Sequence, residues 1–380
     1  PICRDGRVEI QTGQGVKSIG IHEIHMEEDA GKLIHDEWED ISYVDYNRSG
    51  VPLIEIVSEP DLRSAEEVIA YLEQLRLTIQ YLGASDCKLQ EGSMRADVNL
   101  SVRPAGTAAY GTRTEMKNLN SFKAITRAIE NERNRQIDLL EAGEAVVQQT
   151  RRWDDAKGYS YAMRSKEDAQ DYRYFPEPDL VPVQISQAWL EEIRARQPEL
   201  PQERRARYQE QYGLPDYDAA ILTSSKQMAD LFEEAAKICE KPKKVSNWLM
   251  GETMRLLRET GQDPDSLTLD AGHLAKLVLL DDSGAINHTV AKEVFEEVFF
   301  HGTDPERYVE EKGLKTVSDE GTLRAVIAQV IKDNPQSVQD YRGGKQKAIG
   351  FLVGQTMKAM KGKADPGLVN RILTEMLKEG

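Results

Sequence analysis

The sequence predicts an α+β chain of two or three domains, on three observations. Over residues 1–120 apolar side chains recur at every second position in several stretches, the period of a half-buried strand, with one helical stretch among them. Beyond about residue 200 the spacing changes to the three-and-four pattern of amphipathic helices, broken by Gly, Pro and Asp turns. Between the two regimes, Pro176-Glu-Pro178-Asp179 and Gln197-Pro-Glu-Leu-Pro201 punctuate the chain and place a boundary near 180–200. A length of 380 residues is ample for that organisation.

The elements follow in order. Val8 and Ile10 begin a strand pattern almost at Pro1, which with no initiator Met points to an N-terminal segment outside this sequence and a first sheet lacking part of itself. Val16–Glu28, Ile41–Tyr46 and Leu53–Ser58 are further strands. Ser64-Ala-Glu-Glu67 is a capping box that opens a helix with Val68, Leu72, Leu75, Ile79 and Leu82 on one face, and Gly83 stops it. Ser93–Arg103 alternates most cleanly: Met94, Ala96, Val98, Leu100 and Val102 face a core, while Ser93, Arg95, Asp97, Asn99 and Ser101 face away. Arg113–Asn118 is expected to pair with it. Ser121 caps a long helix to about Ala142, ended by Gly143. Thr150–Trp153 and Asp171–Phe175 are short strands whose interleaved Arg and aromatic residues suit either a stacked base or ordinary sheet surface. Helical spacing then runs over 231–239, 245–257, 274–280, 291–300, 323–331, 348–360 and 369–377.

Composition narrows the function. Residues 1–340 hold 41 Lys and Arg against 62 Asp and Glu, whereas residues 341–380 hold eight against three. The charge balance argues against nonspecific nucleic-acid binding by the whole chain, and the basic end is the place for a polyanion contact, or simply a solvated helical surface. No apolar run approaches the ~20 residues of a membrane helix. Cys3, Cys87 and Cys239 lie far apart, which suits a reducing cytoplasm and no disulfide framework. The sequence contains no P-loop, no dinucleotide-binding glycine fingerprint, no Ser or Cys nucleophile motif and no internal repeat. His273, His288 and His301 have no ligand spacing.

Two features carry candidate chemistry. Glu55 sits inside the apolar run Leu53–Val57, where an ionised carboxylate needs a partner or a metal. Upstream lies the dense cluster Ile24-His-Met-Glu-Glu-Asp29, in which Ile24, Met26 and Glu28 share one face of a strand. Glu28 is thus expected to point inward beside Glu55 and form with it a hard-cation site, Mg2+ serving a nucleotide being the natural occupant. The competing reading is an edge strand with a solvated acidic loop. The second feature is the polar face of Ser93–Arg103 and its partner strand. Arg95 and Lys117 are candidates for phosphate contacts, and Asp97, Ser93, Asn99 and Asn118 for orienting metal-bound water, nucleotide or substrate. Arg48, just before the Glu55 strand, is expected to reach the same cleft. A half-solvated sheet would show the same alternation.

Five blocks of sequence, His25–Lys32, Asn47–Asp61, Gly92–Asn99, Lys117–Phe122 and Asp171–Asp179, resemble the B subunit of the aspartyl/glutamyl-tRNA amidotransferases, the GatB family; Gly350-Phe-Leu-Val-Gly-Gln-Thr-Met-Lys358 resembles the YqeY-like domain that ends it. The resemblance spans essentially the whole chain. It implies an antiparallel-sheet cradle of the glutamine synthetase and guanido kinase type over 1–195, a helical domain over 196–311 and a YqeY-like helical tail over 312–380. It further implies an ATP-dependent ligase that phosphorylates the side-chain carboxylate of Glu-tRNA(Gln) or Asp-tRNA(Asn) and amidates it with ammonia channelled from an amidase subunit (GatA), in a cytoplasmic heterotrimer with a small subunit (GatC). Its Mg2+ ligands match Glu28 and Glu55, and the remaining two, a Glu and a His, belong to an N-terminal strand with no counterpart in this sequence.

Overall fold

The computed structural model describes residues 1–36, 39–163, 175, 178–179, 181–316, 319–360 and 362–379. The chain divides into two compact units, Pro1–Leu200 and Pro201–Gly380.

The first unit is built on two main sheets. Strands β1 (Cys3–Thr12) and β2 (Gly15–Glu28) form an antiparallel hairpin. A small separate hairpin, β3 (Lys32–His35) with β4 (Ser42–Asp45), follows, and β5 (Pro52–Ser58) returns antiparallel along the free edge of β2. The first sheet therefore runs β1-β2-β5. Helix α1 (Ala65–Tyr81) packs on one face of it, burying Tyr71, Leu72 and Leu75 against Ile10, Ile19 and Ile21. The second sheet contains β6 (Val98–Leu100), β7 (Thr114–Lys117), β8 (Thr150–Asp154) and β9 (Tyr159–Ala162) in that order. β6–β7 and β8–β9 are antiparallel, but β7–β8 is parallel. Parallel neighbours need a crossover, and helix α2 (Phe122–Glu141) supplies it. The sheet is thus mixed rather than antiparallel throughout. α2 shares one core with α1 through Ala124, Ile125, Ala128 and Ile129. Helix α3 (Gln187–Arg196) completes the elements of this unit.

The helix starts follow the sequence closely. The Ser64 hydroxyl accepts the Glu67 N–H, and Glu67 returns its carboxylate to the Arg63 N–H at 2.7 Å, one residue earlier than a reciprocal capping box. Gly83 takes φ +68°, as the residue ending α1 must, and Leu82 turns out to solvent rather than continuing the apolar stripe. Ser64→Ala is expected to cost about 1 kcal/mol, readable as a lowered midpoint in urea unfolding at unchanged slope.

Ser93–Arg103 departs from expectation in a useful way. Its side chains alternate exposed and half-buried from Ser93 to Leu100, yet only Val98–Leu100 forms a ladder. Trp153 on β8 is fully buried with the Arg127 guanidinium 5.7 Å from its ring centroid, so it is a core residue and not a stacking platform. The companion stretch Asp171–Tyr174 lies outside the described residues.

The second unit is helical: α4 (Pro201–Tyr212), α5 (Asp216–Leu222), α6 (Lys226–Cys239), α7 (Pro242–Trp248), α8 (Met254–Thr260), α9 (Ala271–Asp282), α10 (His288–His301), α11 (Pro305–Glu311), α12 (Glu320–Asp333), α13 (Pro335–Arg342), α14 (Ala348–Ala359) and α15 (Pro366–Glu379). The stretch read as one helix over 245–257 is interrupted by a π turn at Leu249–Thr253. The stripes of α12 to α15 close a separate core, with Leu323, Ile327, Leu352, Ile372 and Leu373 at its centre. His273, His288 and His301 each lie beside a carboxylate, as structural or exposed residues do.

Candidate active site

A cleft of about 2520 Å³ opens in the first unit. Among its walls are Arg48, Glu55, Ser93, Arg95, Asp97, Asn99, Lys117 and Asn118. Every residue singled out from the sequence except Glu28 therefore lies on one cavity. That volume exceeds the ~300–1,000 Å³ of ordinary small-molecule pockets, so it has room for more than a nucleotide.

The two sheets position its polar groups by register. Asp97 and Lys117 lie one step beyond the Val98↔Met116 pair, and Lys117 Nζ meets Asp97 Oδ2 at 2.6 Å. Asn99 stands opposite Glu115, and Lys117 also reaches Glu115 at 3.1 Å. Burial works against the charge on Lys117, but its two carboxylate partners outweigh that and hold it above the usual lysine value. The result is a cation fixed between two acceptors and half open to the cleft.

Arg48 and Arg95 form a second cationic group, gathered by Asp29. Asp29 Oδ2 lies 2.8 Å from Arg48 and Oδ1 3.2 Å from Arg95, and its carboxylate is largely buried. Arg48 also donates to the Gly92 carbonyl at 2.8 Å. Gly92 has φ +75°, and a Cβ there would sit 3.1 Å from the Arg48 Nη1, so glycine serves both the turn and the arginine. Two candidates are engaged in holding the backbone. The Ser93 hydroxyl bonds Asp86 and accepts the Lys88 N–H at 2.9 Å. Asn118, at φ +67°, donates its amide to the Trp153 carbonyl at 3.0 Å.

The carboxylate pair is corrected by the strand register. β2 pairs with β5 so that His25 faces Glu55, Met26 faces Ile54 and Glu28 faces Pro52. Glu55 thus shares a face with His25 and Glu27, whereas Glu28 is on the Met26 face and does not line the cleft. Glu55 is also exposed, not buried. The sequence misleads because Leu53–Val57 is apolar at every position but one, so its pattern does not say which face Glu55 takes. A bulge between Ile21 and Glu23 completes the explanation. Before it Ile19 and Ile21 point to the core; after it Ile24 does, and the odd-numbered residues turn to the open face. Partial desolvation first, then a hydrogen bond and repulsion from Glu27, raise the Glu55 carboxyl above its ordinary value, with His25 opposing and Asp97 adding. Two adjacent carboxylates need a shared proton or a cation between them. Their hard oxygen donors suit Mg2+, yet among the described residues no three His, Cys, Asp or Glu side chains converge as a metal-binding group.

Sequence reasoning misses Glu27, Asp29 and Glu115 as site residues. The first two stand in the acidic cluster upstream of Glu55, and the third in the strand expected to pair with Ser93–Arg103; the pairing turns Glu27 and Glu115 to the cleft, and its ion pairs with Arg48 and Arg95 bring Asp29 there.

In the second unit the basic end is spread over α13 to α15. Lys345 pairs with Asp340 at 3.1 Å, Lys358 lies in the last turn of α14, and Lys361 is outside the described residues. No helix among the described residues is long and apolar enough to cross a membrane.

Residues 1–191 match the GatB/GatE catalytic domain and residues 230–377 the GatB domain. The chain is 68% identical over 377 residues to the B subunit of the aspartyl/glutamyl-tRNA(Asn/Gln) amidotransferase of Agathobacter rectalis, covering 99% of this chain and 79% of that protein. It is 67% identical to the corresponding protein of Lachnospira eligens, covering all of this chain and 80% of that protein, and 64% identical to that of Lachnoclostridium phytofermentans, covering 99% and 79%. A chain that matches both domain models and keeps this identity along its length belongs to the GatB family of tRNA amidotransferase B subunits.

Proposed function

We propose that the cleft of the first unit is where the free side-chain carboxylate of an amino acid esterified to tRNA through its α-carboxyl, that of Glu-tRNA(Gln) or Asp-tRNA(Asn), is activated by ATP and amidated. The observation that carries this reading is the convergence on one cavity of the Lys117–Asp97–Glu115 group, the Arg48–Asp29–Arg95 group and the Glu27–Glu55 pair. Carboxylate, triphosphate and leaving phosphate are all anions. A site that brings them together must supply fixed positive charge and orientation, which do most of the work in phosphoryl transfer.

A carboxylate oxygen attacks the γ-phosphorus of ATP, the bond to the β-phosphate oxygen breaks and ADP leaves. Ammonia then attacks the acyl carbon, the C–O bond to phosphate breaks, and inorganic phosphate leaves as the amide forms and a proton is lost. Lys117 and Arg95 contact the phosphates, Arg48 holds Arg95's partner Asp29, and Asp97 and Asn99 orient the reacting groups. Mg2+ bound here would supply positive charge against the charge that develops on the phosphates. Glu55 with Glu27 would hold it. Glu28 is the position that family resemblance assigns, and its place on the opposite face favours Glu27 instead. Ser93 and Asn118 shape the walls through the backbone.

The first unit is read as a cradle of the glutamine synthetase type. The separate core of residues 323–377 supports treating 312–380 as a tail domain after a helical domain 196–311. The charge of the tail suits a tRNA backbone. The relatives are B subunits by name, which supports assembly with an amidase subunit and a small subunit, and a translation role suits the cytoplasm.

Lys117→Ala tests the assignment. In the assembled enzyme, kcat for ATP-dependent amide formation is expected to fall about a hundredfold while tRNA affinity stays within about twofold. Unchanged turnover removes Lys117 from the site.

A further inference from the structure

We infer that Gln136, together with Thr114 and Glu132, is a positioning group for the Lys117–Asp97 pair: a buried polar plug that fixes the register of β6, β7 and β8 beneath the cleft. The inference rests on the phosphate-contact role proposed for Lys117.

The ladder that presents these residues is short. β6 and β7 share only Val98↔Met116, Asn99↔Glu115 and Leu100↔Thr114. A slip of one residue in such a ladder turns Asp97 and Asn99 away from the cleft, because side chains alternate with a period of two. Gln136 and Glu132, one helical turn apart on α2, are both completely buried, as is Thr114. The Gln136 carboxamide oxygen accepts the Val102 N–H at 3.1 Å, just past the end of β6. Its nitrogen donates toward the Leu100 carbonyl at 3.2 Å, the Thr114 hydroxyl at 3.0 Å and Glu132 Oε1 at 2.8 Å. The Thr114 hydroxyl in turn donates to Glu132 Oε1 at 2.7 Å. Glu132 Oε2 accepts from Arg135 at 2.8 Å and lies 3.3 Å from the Arg151 Nε. Arg151 stands opposite Met116 in the parallel ladder and also bonds Ser160 of β9.

One turn of α2 therefore reaches β6, β7 and β8 directly, and β9 through Arg151. In a buried setting each donor and acceptor left without a partner is costly, so a shifted register is penalised at several atoms together. In sequence α2 reads as an ordinary amphipathic helix; Glu132 and Gln136 follow Ile125 and Ile129 at helical spacing, so the period places them on the buried face although their polarity speaks against it. The same register that seats Gln136 on the inner side places Asp97 opposite Lys117 on the cleft side. Displacements of about 1 Å at a catalytic cation can cost about a hundredfold in rate.

The test is a double-mutant cycle in the assembled enzyme. Gln136→Leu and the milder Thr114→Val are each made alone and combined with Lys117→Ala, and kcat and KM for the aminoacyl-tRNA are measured at a temperature where every variant is folded by circular dichroism. Gln136→Leu is expected to lower kcat about tenfold or more with KM within about twofold, and Thr114→Val to lower it less. In the Lys117→Ala background both losses should nearly vanish, since the group they position is gone. Full kcat in a folded Gln136→Leu or Thr114→Val enzyme overturns the inference. So does an equal fold-loss with and without Lys117, which marks a network that only holds the fold. An unchanged Lys117→Ala enzyme overturns the phosphate-contact reading itself, and this inference with it.

Discussion

Glu132→Ala is expected to destabilise the first unit by about 3–5 kcal/mol in urea unfolding, a large part of the 5–15 kcal/mol that holds a typical domain. Glu132 is completely buried and accepts hydrogen bonds from Thr114, Gln136 and Arg135, with Arg151 also against it. Burial pushes its carboxyl up, but these partners outweigh burial and hold it below the ordinary range. Removing it leaves Arg151, itself buried, without its carboxylate, and breaks the bond that joins Thr114 to α2. The sign of the pH dependence follows from the depressed value. The stability that Glu132 contributes is present above the ordinary glutamate value of about 4.3 and is lost as pH falls through the depressed folded value. The destabilisation caused by Glu132→Ala should therefore be full near neutral pH and shrink in strong acid. A loss below about 1 kcal/mol at pH 7 would mean that the network relaxes around the gap.

Glu55→Gln is expected to move stability and activity in opposite directions. The raised Glu55 carboxyl favours its protonated form in the folded protein. Any stability linked to that proton is present below the ordinary value and lost as pH rises through the raised one. Burial and the neighbouring Glu27 both disfavour the charged form of Glu55. Replacing Glu55 by a neutral isostere should raise the thermal midpoint without added divalent cation, while lowering ATP-dependent amide formation by about a hundredfold. Glu27→Gln should behave alike. Glu28→Gln, on the other face of β2, should leave turnover close to that of the parent enzyme. If Glu28→Gln abolishes turnover and Glu27→Gln does not, the strand pairing misplaces the carboxylates.

Much of this architecture is legible in the sequence alone. Strands β1, β2 and β4 follow from strand-type alternation, β5 from a short β-branched apolar run and the starts of α1 and α2 from Ser caps, all of them local signals. Helix-rich sequence after residue 200 is legible for the same reason. What is not legible is non-local. The facing of Glu55 depends on its partner strand and on a bulge at Ile21–Glu23, because Leu53–Val57 carries no alternation of its own. The parallel β7–β8 pair depends on the crossover through α2. Glu132 and Gln136 stand in line with Ile125 and Ile129 on α2, but two polar residues in an apolar stripe read as its end, and only the strand ends packed on them show them to be a buried plug. The cleft residues Arg95, Asp97, Asn99 and Lys117 can be found because the polar half of an alternating pattern is exposed by construction, and here that half lines the cavity; Arg48 is found by its place just before the Glu55 strand.

The central claim, activation of a tRNA-borne carboxylate by ATP in this cleft, is tested most directly by isotope transfer. Glutamate labelled with 18O in its side-chain carboxylate is charged onto tRNA(Gln), and the phosphate released during ammonia-dependent turnover by the assembled enzyme is analysed by mass. One 18O is expected in each phosphate that accompanies an amide, because the oxygen that attacks ATP departs with phosphate, and Glu55→Gln and Lys117→Ala are expected to suppress both products together. Amide formation with unlabelled phosphate would contradict the claim.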